Sequence, residues 1–199
     1  MKNLIGGEKL DASNGAVIEV INPATKEVID TVPNSTVEDV DIAVKIAKNS
    51  QKEWGKVSIH ERGEILLKFA SLVEEKKEEL ATLLCNETGK PIKEARAEIG
   101  NMKMFVSSYV EKARHDYGNV IPAGSEPGQE KTIQFTVQAP LGVVACIIPF
   151  NFPSDLFGQK VPSALVMGNS VIVKPSTYNP LTLHRYCAVS YTHLRAHET

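Results

Sequence analysis

The three cysteines, Cys85, Cys146 and Cys187, form no CxxC pair, and an odd number of thiols is a poor basis for a disulfide scaffold. That usage leads us to expect a reducing, cytoplasmic setting. No stretch approaches the ~20 apolar residues that a membrane helix needs. The start, Met1 to Glu8, also lacks the apolar run of a secretory leader. Charge of one sign is missing too: the formal net charge is −2 with 23% charged residues, so neither nucleic acid nor an anionic membrane is expected as a partner. Aromatic residues make up 6%, too few for a stacking platform on single-stranded nucleic acid. Walker A, HExxH and GxSxG motifs and the Gly-rich dinucleotide fingerprint are all absent, which removes the usual support for phosphoryl transfer, zinc proteolysis and serine hydrolysis.

What is present is a soluble, globular pattern: 199 residues, 42% hydrophobic, enough for one sizeable core. Val17–Ile21 and Val28–Val32 read as short strands around the turn Asn22 to Lys26. Ser35 with Glu38 reads as a capping box for a helix whose apolar face is Val40, Ala43, Val44, Ala47 and Trp54. Ser58 with Glu61 opens a longer helical stretch through Leu84. The charge run Glu74 to Glu79 leaves open whether that stretch is one helix or two. Gly89-Lys90-Pro91 stops it. A further helix carries the stripe Ile92, Ala95, Ile99, Met102, Val106 and Tyr109, which reads as core.

Gly118 to Gln129 is a Gly/Pro-rich loop, and Thr132–Gln138 after it alternates polar and apolar, the pattern of a half-buried antiparallel strand. Val143–Ile148 is apolar without alternation, as in a parallel strand covered on both faces. A helical pattern from Phe152 to Met167 and a second apolar strand, Val171–Val173, complete a βαβ crossover. The fold class is therefore α/β, with the start of a doubly wound parallel sheet. Ligands of such sheets sit at the carboxyl ends of the strands, here Pro149-Phe150-Asn151 and Lys174-Pro175-Ser176-Thr177.

Asn151 has two readings from its position: a cap for the following helix, or a side-chain amide donating to an oxyanion at the strand end. Lys174 is either a solvated lysine or a cation aimed at a ribose or phosphate. Cys146 and Cys85 lie in apolar surroundings that make them core residues rather than nucleophiles. His193 and His197 have the helical spacing of a metal pair, but no carboxylate supports them and no metal is expected.

Pro140-Leu141-Gly142-Val143-Val144 running into Ile148-Pro149-Phe150-Asn151-Phe152-Pro153 resembles the aldehyde dehydrogenase family. So do Ala164-Leu165, Gly168-Asn169 and Val171 to Ser176 and, upstream, Asn22 to Thr25, Trp54 to Arg62 and Glu87 to Pro91. The resemblance covers Leu4 to about Arg185. It implies an enzyme that oxidises an aldehyde to an acid through a thioester on cysteine, with NADP or NAD as hydride acceptor. By the same resemblance Asn151 donates to the tetrahedral oxyanion, and Ile147, Ile148, Pro149 and Phe150 line the cofactor cleft. Lys174 contacts the adenosine ribose, with Ser176 and Thr177 beside it. Many NAD-specific relatives carry glutamate where this chain has Thr177. The strand Thr132–Gln138 resembles an oligomerisation arm, which implies a homo-oligomer at full length.

The resemblance divides the chain into strands and helices at 1–118, loop and arm at 119–139, the first βαβ unit at 140–185, and a tail at 186–199 outside the family pattern. That tail resembles translated adapter sequence. The family's nucleophilic cysteine, general-base glutamate and glycine-rich loop match no residue here, so these 199 residues alone are expected to be inactive. The alternative is a non-catalytic binding or assembly module of the same fold.

Overall fold

The structure is a computed structural model and describes residues 1–193. Two antiparallel hairpins open the chain. The first, β1 (Asn3–Ile5) with β2 (Glu8–Leu10), turns on Gly6 and Gly7, both at positive φ. The sequence reading did not foresee it. The second joins β3 (Val17–Ile21) to β4 (Val28–Pro33), as expected, and the side chain of Asn22 accepts from the amides of Ala24 and Thr25 inside the turn.

Helix α1 spans Val37–Trp54, and its cap corrects the expected one. Thr36, not Ser35, is the N-cap, and the reciprocal partner is Asp39 rather than Glu38. The Asp39 carboxylate accepts from the amides of both Thr36 and Ser13, while the Ser35 hydroxyl is engaged with Asn3. The long stretch after Ser58 resolves into two helices, α2 (Ile59–Glu75) and α3 (Lys77–Thr88), broken at Lys76. Gly89 ends α3 in the left-handed conformation, and α4 (Ile92–Arg114) follows Pro91. On α4 the stripe Ala95, Ile99, Met102 and Val106 is fully buried, as its spacing predicts.

Two short strands, β5 (Val120–Ile121) and β6 (Gln134–Phe135), pair antiparallel beyond α4. Gly118 is required there: a Cβ on it would lie 2.1 Å from the Thr136 carbonyl oxygen. The expected half-burial of this arm is corrected. Ile133, Phe135 and Val137 are 87%, 69% and 71% exposed, because no described residue covers their face.

The parallel pair β7 (Val143–Ile147) and β8 (Ser170–Lys174) encloses helix α5 (Pro153–Val166), giving the expected βαβ unit. Both strands are only partly covered, which corrects the double burial read from their composition. The reason is a cavity of about 1000 Å³ between β8 and α1. All five residues expected on the apolar face of α1 line it, and Val40 and Val44 are exposed for that reason.

Both ends of α5 are satisfied by side chains from distant parts of the chain, as its otherwise unpaired backbone groups require. At the carboxyl end, Trp54 Nε1 donates to the Leu165 carbonyl at 2.9 Å and Arg62 Nε to the Val166 carbonyl at 2.8 Å. Arg62 is buried and its Nη1 also donates to the Val57 carbonyl. Arg62→Ala is therefore expected to cost about 2–3 kcal/mol, the range for losing a charged donor to buried acceptors. A fall in melting temperature checks this, and an unchanged one contradicts it.

Helix α6 (Leu181–His193) runs through the expected boundary at Arg185. Tyr186 is fully buried, its ring packing on Phe69 and Phe157, and its hydroxyl lies 2.5 Å from Ser154 Oγ. Tyr186, the first residue of the expected tail, is thus part of the core. The spacing of His193 with His197 falls, with residues 194–199, outside the described residues.

Candidate functional site

The register of the parallel pair sets Ile147 opposite Lys174. Both strands therefore end at one level, and the loops leaving them run side by side. The Ile148 amide donates to the Lys174 carbonyl at 3.0 Å. Asn179, buried beyond the second loop, donates from Nδ2 to the Phe150 carbonyl in the first at 2.7 Å. Phe150 and Tyr178 add an edge-on ring contact at 6.0 Å. Sequence reasoning does not single out Asn179. Its role as the cross-link between the loops depends on a contact 29 residues back, which no local signal shows.

The expected site residues fall into two groups. Ile147, Lys174, Ser176 and Thr177 border the cavity beside β8. Pro149, Phe150 and Asn151 are exposed on the neighbouring loop and do not line it. Ile148 is buried in the core at 2% exposure, so only its main chain is presented at the site. The Ser176 hydroxyl accepts from the Tyr178 amide at 3.2 Å and shapes the second loop, while Thr177 is exposed beside it. Lys174 Nζ is exposed and rests on the Pro175 carbonyl.

Asn151 does not cap α5. The N-cap position is Phe152, and the free amides of Ser154 and Asp155 are taken by Glu98 Oε1 at 2.8 and 3.4 Å. The Asn151 side chain is thus released from the structural duty that competed with a chemical one. Lys160 is a further cation that the sequence reading missed. It lies on α5 and donates at 2.8 Å to the carbonyl of Ile147, the last residue of β7.

Burial raises the Cys146 thiol within β7, with Lys160 opposing the shift only in part. Burial likewise pushes Cys187 up to about 12, and the neighbouring Cys146 adds to the shift. No helix among the described residues is long and apolar enough to cross a membrane.

What this arrangement offers is an amide donor and a loop of hydroxyls with one ammonium, set at the carboxyl ends of parallel strands. The sequence and the fold are both shared with known proteins. Residues 10–192 match the aldehyde dehydrogenase family model. A mitochondrial succinate-semialdehyde dehydrogenase from Oryza sativa subsp. japonica is 38% identical over 91% of the chain. The solved NADP-dependent glyceraldehyde-3-phosphate dehydrogenase from Bacillus halodurans C-125, complexed with NADP, superposes over 96% of the chain with a TM-score of 0.91 and 32% identity. PnpE in complex with nicotinamide adenine dinucleotide gives a TM-score of 0.89, 33% identity and 96% coverage. The chain spans only 34% of the rice protein and 40% and 38% of the two solved chains. Sequence match and superposition agree over nearly all of these residues, and the chain belongs to the aldehyde dehydrogenase family.

Proposed function

We propose that these residues form the amino-terminal, cofactor-side portion of an NAD(P)-dependent aldehyde dehydrogenase that converts an aldehyde to a carboxylic acid through a cysteine thioester. The parallel register Ile147–Lys174 supports the reading, because it sets the loop of Asn151 and the loop of Lys174, Ser176 and Thr177 side by side. The side-chain amide of Asn151 donates to the oxygen of the tetrahedral adduct, where developing charge rewards a fixed donor. Ile147 lines the cofactor cavity, the main chain of Ile148 to Phe150 borders it on the adjoining loop, and Lys174, Ser176 and Thr177 hold the ribose and phosphate end. The cavity fits such a group: its walls are mostly apolar, with one ammonium and two hydroxyls at the strand end. When bound, a nicotinamide dinucleotide supplies the hydride acceptor. The nucleophilic thiol and the general-base carboxylate belong, on this reading, to the part of the relatives' length that the chain does not span.

Two associated features are part of the proposal. The exposed apolar row Ile133, Phe135 and Val137 supports a homo-oligomer built through the arm, and the cysteine usage supports a cytoplasmic location.

The cofactor loop gives the experiment. Thr177 is exposed, uncharged and three residues from Lys174, so nothing on this loop repels a 2′-phosphate. The full-length protein is expected to use NADP at least as well as NAD. Thr177→Glu should cost NADP a few kcal/mol, each ~1.4 kcal/mol being tenfold in affinity. Comparing kcat/KM for both cofactors in parent and variant decides it. A parent that strongly prefers NAD, with a ratio indifferent to the substitution, overturns the assignment of Thr177.

A further inference from the structure

Glu98 on α4 is a carboxylate whose side chain is 2% exposed, and its partner Lys90, in the turn between α3 and α4, is 12% exposed. Glu98 Oε1 accepts from the amides of Ser154 and Asp155, and Oε2 pairs with Lys90 Nζ. The Lys90 ammonium also donates to the Asn151 carbonyl at 3.3 Å and lies 4.8 Å from the centroid of the Phe152 ring. One buried ion pair therefore holds the main chain at Asn151 itself and at the first turn of α5 just after it. Such a pair is a weak source of stability, because desolvation offsets most of the attraction. Its fixed geometry is the more consequential product.

The hairpin of α3 and α4 repeats the device. Glu87 on α3 accepts from the amides of Leu181 and Thr182 at 2.7 and 2.9 Å, at the start of α6. One helical hairpin thus carries a carboxylate for the start of each of α5 and α6.

We propose that Lys90 and Glu98 are positioning residues for the oxyanion donor: they fix the backbone of Asn151 and so the aim of its side chain. This rests on the function proposed above. The test uses the full-length protein carrying Lys90→Met together with Glu98→Gln. The pair removes both charges at once, leaves no uncompensated buried carboxylate, and keeps an acceptor oxygen for Ser154.

Crystal structures of parent and variant should show the Asn151 amide displaced by on the order of 1 Å, a misplacement worth about 10²-fold in rate. The kcat should fall by about that factor, with the aldehyde KM changed by less than about threefold. In an Asn151→Ala background the same pair should lower kcat by less than about twofold, because residues acting through one group are not additive. If the pair variant does not fold, Lys90→Arg carries the same cycle, since it keeps the ion pair and changes the donor geometry.

Superposable Asn151 side chains, or an equal loss of kcat in both backgrounds, overturns the proposal. A parent that oxidises no aldehyde sinks the functional reading instead, and the crystallographic comparison still decides whether the pair positions Asn151.

Discussion

Purified on its own, the 199-residue chain is expected to produce no NAD(P)H from any aldehyde. The covalent route needs a thiolate, and the fraction of thiolate falls tenfold for each unit by which the thiol pKa exceeds the pH. Burial pushes Cys187 up to about 12, and Cys146, itself buried within β7, is raised as well. Cys85 packs against the core from α3. An oxyanion donor without a nucleophile has no adduct to stabilise. Alkylation of the native chain should accordingly be slow at Cys146 and Cys187. Aldehyde-dependent NAD(P)H formation that stays with the protein through a second column, and disappears in a Cys→Ser variant, would refute this.

Asn151→Ala in the full-length protein should lower kcat by roughly 10²–10³, the effect of deleting one oxyanion donor. The structure strengthens the expectation by removing its main confounder. Were Asn151 the cap of α5, alanine would also cost about 1 kcal/mol of stability. The helix is capped instead by Glu98, and Asn151 takes part through its backbone carbonyl, which alanine retains. The melting temperature should therefore hold while kcat falls. Unchanged turnover would leave Asn151 without a chemical role.

Period and punctuation carried a good part of this architecture. The β3–β4 hairpin, the stop at Gly89, the core stripe of α4 and the β7–α5–β8 crossover all follow from residues close together in the chain. So did the two loops of the site, because strand ends can be read from apolar runs. What escaped depends on distance. The carboxylate of Glu98 meets an amide 56 residues away, and that of Glu87 one 94 residues away, so neither contact shows in the local sequence. The cap of α1 moved by one residue because Ser13, far upstream, recruits Asp39. Tyr186 gave no periodic signal, yet its ring closes the cluster of Phe69 and Phe157. Composition also suggested more burial for β7, β8 and the arm than the described residues supply.

The central claim is that this fold serves aldehyde oxidation, and one measurement addresses it directly. The full-length protein is mixed with NADP or NAD and a panel of aldehydes that includes semialdehydes, and both reduced cofactor and carboxylic acid are quantified. The account predicts cofactor reduction matched one-for-one by acid. Saturating cofactor that yields neither product across the panel would contradict it and favour a non-catalytic module of the same fold.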